Sequence, residues 1–262
     1  MGLTAKISTA VRVLQNFGIL EVIKIITQKI FRVNKAFLRE STLDSSFRKV
    51  ITFSAPSEDF LMACGQSLSS NGPFGNYQSF LDRFKHNAKK PRLGFFGEIY
   101  DLGPGLGFLL FNTIGTEMPN KILETGVAAG ASSNLILAKL NDLQRGTLVS
   151  VDITSKVGEL VNEQFQHRWT IQVLPKLFKR KAFLRILNSN QDATIFLHDS
   201  DHSIQWQIFE ISSAIKCLPS VKHILVDDVS EEFQSFVLND LPEWDLVVID
   251  EGRKFSGYLS RK

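Results

Sequence analysis

Four acidic residues of this chain stand directly after four short apolar runs. Glu124 follows KIL, Asp152 follows LVSV, Asp199 follows IFLH and Asp227 follows ILV. Such runs predict buried strands, and ligands bind beyond the carboxyl ends of the strands in an open parallel sheet. Carboxylates gathered at one edge repel each other unless hydroxyls, ammonium groups or a metal ion compensate them. The pattern therefore predicts a ligand site along this edge.

The stretch from Lys121 to Ser133, KILETGVAAGASS, predicts a strand that turns tightly into a helix. Gly126 and Gly130 keep the turn free of side chains, so that a ligand can approach the backbone at the start of the helix. Glu124, at the tip of the strand, is suited to hold a cationic or hydroxylated ligand group. A structural turn without a ligand is the alternative interpretation of this stretch.

Alternating strand and helix patterns surround these acids and predict an α/β fold with a mostly parallel sheet. The final two strands, Asp245–Ile249 and Phe255–Leu259, are separated by a short turn, which indicates one antiparallel strand at the edge of the sheet. Seven strands are predicted in total, beginning near residues 121, 147, 169, 193, 223, 245 and 255. Residues 1–95 are predicted to form a helical extension or lid, and residues 96–262 the main domain.

The amino-terminal 40 residues carry apolar side chains at helical spacing, and their polar positions are mostly basic. Glu21, Lys24 and Lys29 interrupt any apolar run long enough to span a membrane. A secretory signal is disfavoured because no continuous apolar core precedes a small-residue cleavage site. Two interpretations stay open: a helix that packs on the domain or on a second subunit, giving a homodimer, and an amphipathic helix on a membrane surface.

The composition is that of an ordinary globular protein, with 262 residues of which 44% are hydrophobic and 22% charged. A net charge of +3 is only mildly basic and, without a concentrated basic patch, does not suggest nucleic acid as a partner. Cys64 and Cys217 lie far apart without metal or redox spacing. Reduced thiols and a cytoplasmic location are expected from this pattern.

Four segments together, ILETGVAAGASS, VSVDI, IFLHDSDHS and ILVDDV, resemble class I S-adenosylmethionine (SAM) methyltransferases. The chain is most similar to the small-molecule branch that contains macrocin-type O-methyltransferases and cephalosporin hydroxylase-like proteins. The resemblance extends from about Gly97 to the carboxyl terminus. It implies a Rossmann-like methyltransferase sheet, SAM as cosubstrate, and methyl transfer to a hydroxyl of a small molecule.

The resemblance also assigns residues to the cosubstrate. It places the methionyl part of SAM over the two glycines of the turn, and it gives Asp152 the ribose hydroxyls, for which a carboxylate offers two acceptor oxygens. The predicted cofactor-binding set is Glu124, Gly126, Gly130, Ser132, Asp152 and Asp199.

In metal-dependent relatives the acids at the ends of two strands hold a divalent cation, and the matching residues here are Asp199, Asp227 and Asp228. Hard oxygen ligands of this kind suit Mg²⁺, which would lower the pKa of a bound hydroxyl. Consecutive strand residues point in opposite directions, so Asp227 and Asp228 converge only if the strand has already turned. A metal-free alternative has Asp228 bonded to backbone amides of the next helix.

The resemblance makes His202 the candidate general base, together with Asp199 as its catalytic neighbour, because the unperturbed pKa of histidine suits proton removal near neutrality. A structural histidine at a helix start is the alternative.

Three rival functions remain at this stage. A metal-dependent hydroxylase could use the same fold, since fold does not fix function. A non-catalytic SAM-binding protein could be attached to a membrane or partner through its amino-terminal helix. A nicotinamide dehydrogenase is disfavoured by the E-x-G-x-x-x-G spacing, which differs from G-x-G-x-x-G. The acceptor itself is not indicated by any motif.

Overall fold

The computed structural model describes residues 50–67, 77–79, 82, 102–252 and 254–262. The chain divides after Arg48, and all these residues belong to the second unit, Lys49–Lys262. The helix predicted over the first 40 residues and the boundary predicted between residues 95 and 96 lie outside the described residues, and both stay predictions. Within the described ranges, no helix combines the length and the apolar character that crossing a membrane requires.

Among the described residues, eight strands form a single sheet in the order β1-β7-β8-β6-β5-β2-β3-β4. Neighbouring strands are parallel except where β8 pairs with β6 and with β7. The strands are β1 (Val50–Thr52), β2 (Lys121–Thr125), β3 (Thr147–Asp152), β4 (Trp169–Val173), β5 (Ile195–His198), β6 (His223–Val226), β7 (Trp244–Asp250) and β8 (Phe255–Arg261).

Helices lie between the parallel strands in the chain, as crossover connections between parallel strands usually require. Serine hydroxyls cap two of them: the hydroxyl of Ser57 accepts a hydrogen bond from a backbone amide of α1, and Ser230 does the same for α6. The helices are α1 (Glu58–Ala63), α2 (Pro104–Glu117), α3 (Ala131–Asp142), α4 (Lys179–Asn188), α5 (Ile204–Cys217) and α6 (Glu231–Asp240), with a 3₁₀-helix at Glu163–Arg168.

The predicted α/β fold with a mostly parallel sheet is confirmed, and so is the antiparallel final strand. The prediction that this strand lies at the edge is wrong. Strand β8 inserts between β6 and β7, with Leu225 and Val247 both opposite Tyr258. The short turn makes β8 pair with β7, and because β1 pairs with the other side of β7, β8 lies on the side that faces β6.

The sheet has one strand more than the seven predicted. Strand β1 comes from the weakly patterned segment before the main domain, and it extends the sheet by pairing with β7, with Val50 opposite Val248. Helix α1 packs beside the end of β1, where the ring of Phe60 meets that of Phe53 edge to face with centroids 4.9 Å apart. The predicted extension therefore contributes to the core within residues 50–63.

Helix α2 is buried on nearly all sides, from Gly105 through Gly115. Its sequence is apolar around the whole circumference, which is the pattern of a helix enclosed by other elements. The side chains of Leu106, Phe108 and Ile114 are fully buried in the same cluster as residues of β2, β5 and α3. This helix fixes one layer against the sheet, and its amino terminus points to the edge where the acids lie.

Candidate active site

The four strand-end acids lie along one edge of the sheet because their strands are neighbours in the order β6-β5-β2-β3. They follow this order as Asp227, Asp199, Glu124 and Asp152. The backbone amide of Asp199 donates to Thr125 and that of Asp227 to His198, each at 2.9 Å, so the sheet pairing continues to the acids themselves. The structure thus brings the predicted residues together.

Glu124 is fully buried, and three serine hydroxyls donate to its carboxylate. Ser132, Ser133 and Ser150 each do so at 2.6 Å. The indole of Trp169 donates to the Ser150 hydroxyl at 2.9 Å and completes the network. Burial raises the pKa of Glu124 in spite of these hydrogen bonds. The carboxyl group thereby ties the start of α3 to β2 and β3, and its oxygens are already engaged by the protein.

Asp152 fastens the glycine turn to the end of β3. One carboxylate oxygen accepts from the amide of Val127 at 2.9 Å. The other accepts from the amides of Ile153 at 2.6 Å and Thr154 at 3.2 Å. These bonds hold the carboxylate in one orientation beside the glycine turn and leave it half-buried.

Gly126 and Gly130 both have positive φ, +80° and +92°. A methyl group at Gly126 would lie 2.0 Å from the carbonyl oxygen of Asp199, and one at Gly130 would lie 2.7 Å from Gly158. Close approach by the protein's own backbone therefore requires both glycines. The sequence assigned them to ligand approach, and this internal contact supplies an additional physical reason for them.

Lys254, from the turn between β7 and β8, reaches the same edge. Its ammonium lies 2.5 and 2.7 Å from the two carboxylate oxygens of Asp227. Burial lowers the pKa of Lys254, but the charges of Asp227, Asp228 and Asp199 outweigh this effect and raise it above its ordinary value. Burial and the charge of Asp227 raise the pKa of Asp199 well above its usual range. The edge therefore contains a lysine that the sequence analysis missed.

Asp227 and Asp228 take different partners. Strand β6 ends at Val226, and Asp228 adopts a left-handed backbone with φ of 58°, so the chain has turned there. The side-chain amide of Gln207 donates to the carbonyl groups of both aspartates at 3.3 Å. The Asp228 carboxylate lies 3.7 Å from Nδ1 of His202. The chain therefore turns where convergence of the two carboxylates requires it. The Asp227 carboxylate nevertheless contacts Lys254, whereas the Asp228 carboxylate lies near His202.

Within the described residues, Asp199, His202 and Asp227 form a group whose possible ligand atoms lie within 4.8 Å of one another. The predicted set of Asp199, Asp227 and Asp228 shares two of these members. Both oxygens of Asp227 already contact an ammonium group, so the edge as it stands does not suit a divalent cation. The Mg²⁺ assignment stays a prediction.

Glu251 links this edge to helix α2. The N-cap residue of the helix is Gly103, which has no side chain to accept a hydrogen bond, and one oxygen of Glu251 instead accepts from the amide of Leu106 at 2.7 Å. The other oxygen fills the space beside Gly103, 1.1 Å from where a methyl group there would stand. Burial raises the pKa of Glu251 to about 7, with Asp227 contributing, while Leu106 and Lys254 oppose the rise.

A second buried network supports the edge from the opposite face of the sheet. Glu210 of α5 lies 2.7 Å from the imidazole of His198 and accepts hydrogen bonds from Thr125 at 2.7 Å, Ser200 at 2.9 Å and the Trp206 indole at 2.6 Å. These contacts fix the loop that carries Asp199 and His202. The sequence analysis missed Glu210 because it lies at an ordinary position inside an amphipathic helix. The signal that could have indicated a buried acid is the polar residues Thr125 and His198 at the ends of β2 and β5, which require a partner when buried.

Comparison with known proteins identifies a family for most of the sheet-forming region. The family profile described as "Methyltransferase domain" matches residues 123–259. No curated protein matches the chain significantly. Among solved structures, an O-methyltransferase from Bacillus cereus in complex with SAH is similar, with 16% identity and a TM-score of 0.51, over 70% of this chain and 91% of that one. The SAH-bound methyltransferase PaMTH1 from Podospora anserina has 12% identity and a TM-score of 0.49, over 70% and 87%.

The close approach at Gly126 predicts a large effect of Gly126→Ala. The variant should lose more than about 3 kcal/mol of stability, because a methyl group would collide with the backbone of Asp199. Gly65→Ala is the matched control, since Gly65 has φ of +76° but no atom of the described residues lies within 4 Å of the added methyl. It should lose only about 1 kcal/mol, the cost of the left-handed backbone alone. Urea unfolding measures both, and equal losses would contradict the steric explanation.

The position of Glu251 predicts a pH effect on stability. Between pH 4.5 and about 7 the folded protein keeps a proton on Glu251 that the unfolded chain has lost, so rising pH destabilises the fold through this residue. Glu251→Gln mimics the neutral acid. Its free energy of unfolding should rise relative to the natural protein across this window, by at most about 3 kcal/mol. Unfolding in urea at several pH values measures the difference.

A matched control for this pH series is Glu243→Gln, because the side chain of Glu243 is 77% exposed. Its difference from the natural protein should stay constant with pH. A constant difference for Glu251→Gln as well would show that Glu251 does not titrate in this window.

Proposed function

The chain belongs to the methyltransferase domain family, and from that membership we propose that it transfers the methyl group of SAM to a hydroxyl of a small molecule. The family match confirms the predicted resemblance to class I SAM-dependent methyltransferases, and with it the enzymatic nature of the protein. One observation carries the proposal for this site: the glycine turn, Asp152 and Asp199 converge at the carboxyl edge of adjacent strands. That edge is where open α/β sheets bind ligands.

SAM would lie across the ends of β2 and β3. Asp152 would accept hydrogen bonds from the ribose hydroxyls, since its carboxylate is half-buried and already oriented by backbone amides. Gly126 and Gly130 would border the methionyl part. Glu124 and Ser132 bond to each other, so in this proposal they shape the turn rather than hold the cosubstrate through their side chains.

The chemical step is a direct displacement. The acceptor hydroxyl oxygen attacks the methyl carbon, the carbon–sulfur bond breaks, and its electron pair returns to sulfur to give S-adenosylhomocysteine. His202 takes the hydroxyl proton, and its side chain is suitably placed because it is 26% exposed at the edge and 3.7 Å from Asp228. Asp199 lies between the glycine turn and His202 and helps to orient the acceptor. The protein acts mainly by holding the reactants in line.

The proposal has three finer parts: contact of the amino-terminal helix with a membrane surface, homodimer formation and a cytoplasmic location. The amino-terminal helix lies outside the described residues. Flotation of the full-length protein with anionic vesicles tests the first, and sedimentation measures the second.

The role of Asp152 predicts weaker SAM binding in Asp152→Asn. The amide keeps one oxygen for the backbone but loses the charge that strengthens hydrogen bonds from hydroxyls, so affinity should fall about tenfold to a hundredfold. Calorimetric titration with SAM and S-adenosylhomocysteine measures it. Asp250→Asn is the control, because Asp250 also ends a strand and accepts an amide hydrogen bond, from Gly252 at 2.8 Å.

The control should bind SAM as the natural protein does. Unchanged SAM binding by Asp152→Asn, or an equal loss in both variants, would contradict the assignment of Asp152. Methyl transfer itself is tested by formation of S-adenosylhomocysteine with a panel of hydroxylated small molecules. Oxygen consumption without that product would instead indicate the hydroxylase.

A further inference from the structure

Lys254 and Asp227 form a close ion pair at this edge. An ammonium group has three N–H donors, and both oxygens of Asp227 lie within 2.7 Å of Nζ. The side chain of Lys254 is 23% exposed and that of Asp227 is 6% exposed. Both charges have therefore left most of their hydration, and each depends on the other for compensation.

The surroundings of this pair are acidic. Asp199 and Asp228 also act on Lys254 electrostatically, and Glu251 lies close enough to interact with both members of the pair. Among the described residues, the lysine cation thus faces four carboxyl groups. This is the electrostatic situation that the sequence analysis assigned to a divalent metal ion at the same strand ends.

The ammonium and a metal ion would compete for the same ligands. Mg²⁺ requires oxygen atoms at about 2.0–2.1 Å in nearly octahedral arrangement, and Asp227 would have to give up its contacts with Lys254. Two positive charges a few ångströms apart in a partly buried site would also repel each other. One of the two cations must leave if the other is to bind.

We propose that Lys254 is the resident cation of this edge, occupying the position predicted for Mg²⁺, so that the site binds its acceptor without a divalent metal. The proposal rests on the function proposed above. One ammonium N–H donates to Asp227 while Nζ stays in contact with both carboxylate oxygens, and another N–H donates to the acceptor oxygen, where it stabilises the negative charge that develops as His202 removes the proton. Lys254 thereby fixes both the charge and the position of the acceptor.

The test is metal binding to the full-length protein, measured by equilibrium dialysis with Mn²⁺ and by calorimetry with Mg²⁺. The natural protein should bind neither ion at this edge. Lys254→Met removes the charge and keeps the length of the side chain, so it should gain affinity for Mn²⁺ of about tenfold or more. Lys254→Met combined with Asp227→Asn should lose that gain. Lys254→Arg keeps the charge and should remain insensitive to metal.

Lys222→Met is the matched control, since Lys222 also forms an ion pair with a glutamate but lies on the exposed surface. It should not change metal binding. Tight binding of Mg²⁺ by the natural protein, or equal metal affinity in the natural protein and Lys254→Met, would overturn the proposal. If Lys254→Met does not fold, the natural protein and Lys254→Arg decide the question alone, because tight metal binding by either contradicts it.

Metal binding is measured without SAM, so these outcomes are independent of the proposed methyl transfer. A protein that does not bind SAM but follows the metal predictions would refute the proposed function and leave Lys254 as the cation of the edge. A protein that binds SAM but also binds Mg²⁺ tightly would refute the proposal for Lys254 and leave the proposed function standing.

Discussion

The structure depends on compensating several carboxyl groups that the sheet brings to one edge. Three of the four strand-end acids are compensated in different ways: hydroxyl groups surround Glu124, backbone amides hold Asp152, and an ammonium contacts Asp227. Hydroxyls and amides stabilise a carboxylate only through direct hydrogen bonds, whereas a lysine brings an opposite charge. The charge of the groups that contact the acids therefore changes along the edge: neutral hydrogen-bond donors lie beside the glycine turn, and a full positive charge lies beside β6.

This change in charge along the edge matches the chemistry of methyl transfer. A sulfonium cosubstrate carries a positive charge and suits the side where carboxylates are balanced by neutral donors. An acceptor hydroxyl that becomes negative suits the side where Lys254 and His202 lie. Two buried networks, centred on Glu124 and on Glu210, hold these sides in place from opposite faces of the sheet. Preorganised groups of this kind need little rearrangement during the reaction, and this lowers its barrier.

Sequence reasoning predicted much of this arrangement and failed for identifiable reasons. Strand-end acids and the glycine turn are local patterns, so Glu124, Asp152 and Asp199 could be placed before the fold was known. Lys254 could not, because its contact with Asp227 depends on β8 lying between β6 and β7, a pairing that no local pattern specifies. Strand β1 was missed since three residues, Val50–Thr52, are too short to show an alternating pattern.

The interior position of β8 also has a consequence for the order in which the fold can be completed. Before residues 255–261 join the sheet, β6 and β7 have no strand between them to bridge their backbone groups. The incomplete sheet leaves N–H and C=O groups unpaired next to Asp227, and Lys254, from the turn before β8, is not yet held beside that carboxylate. The strand pairs β2–β3 and β2–β5 that support the glycine turn do not involve β8, so this turn can form independently of the last step.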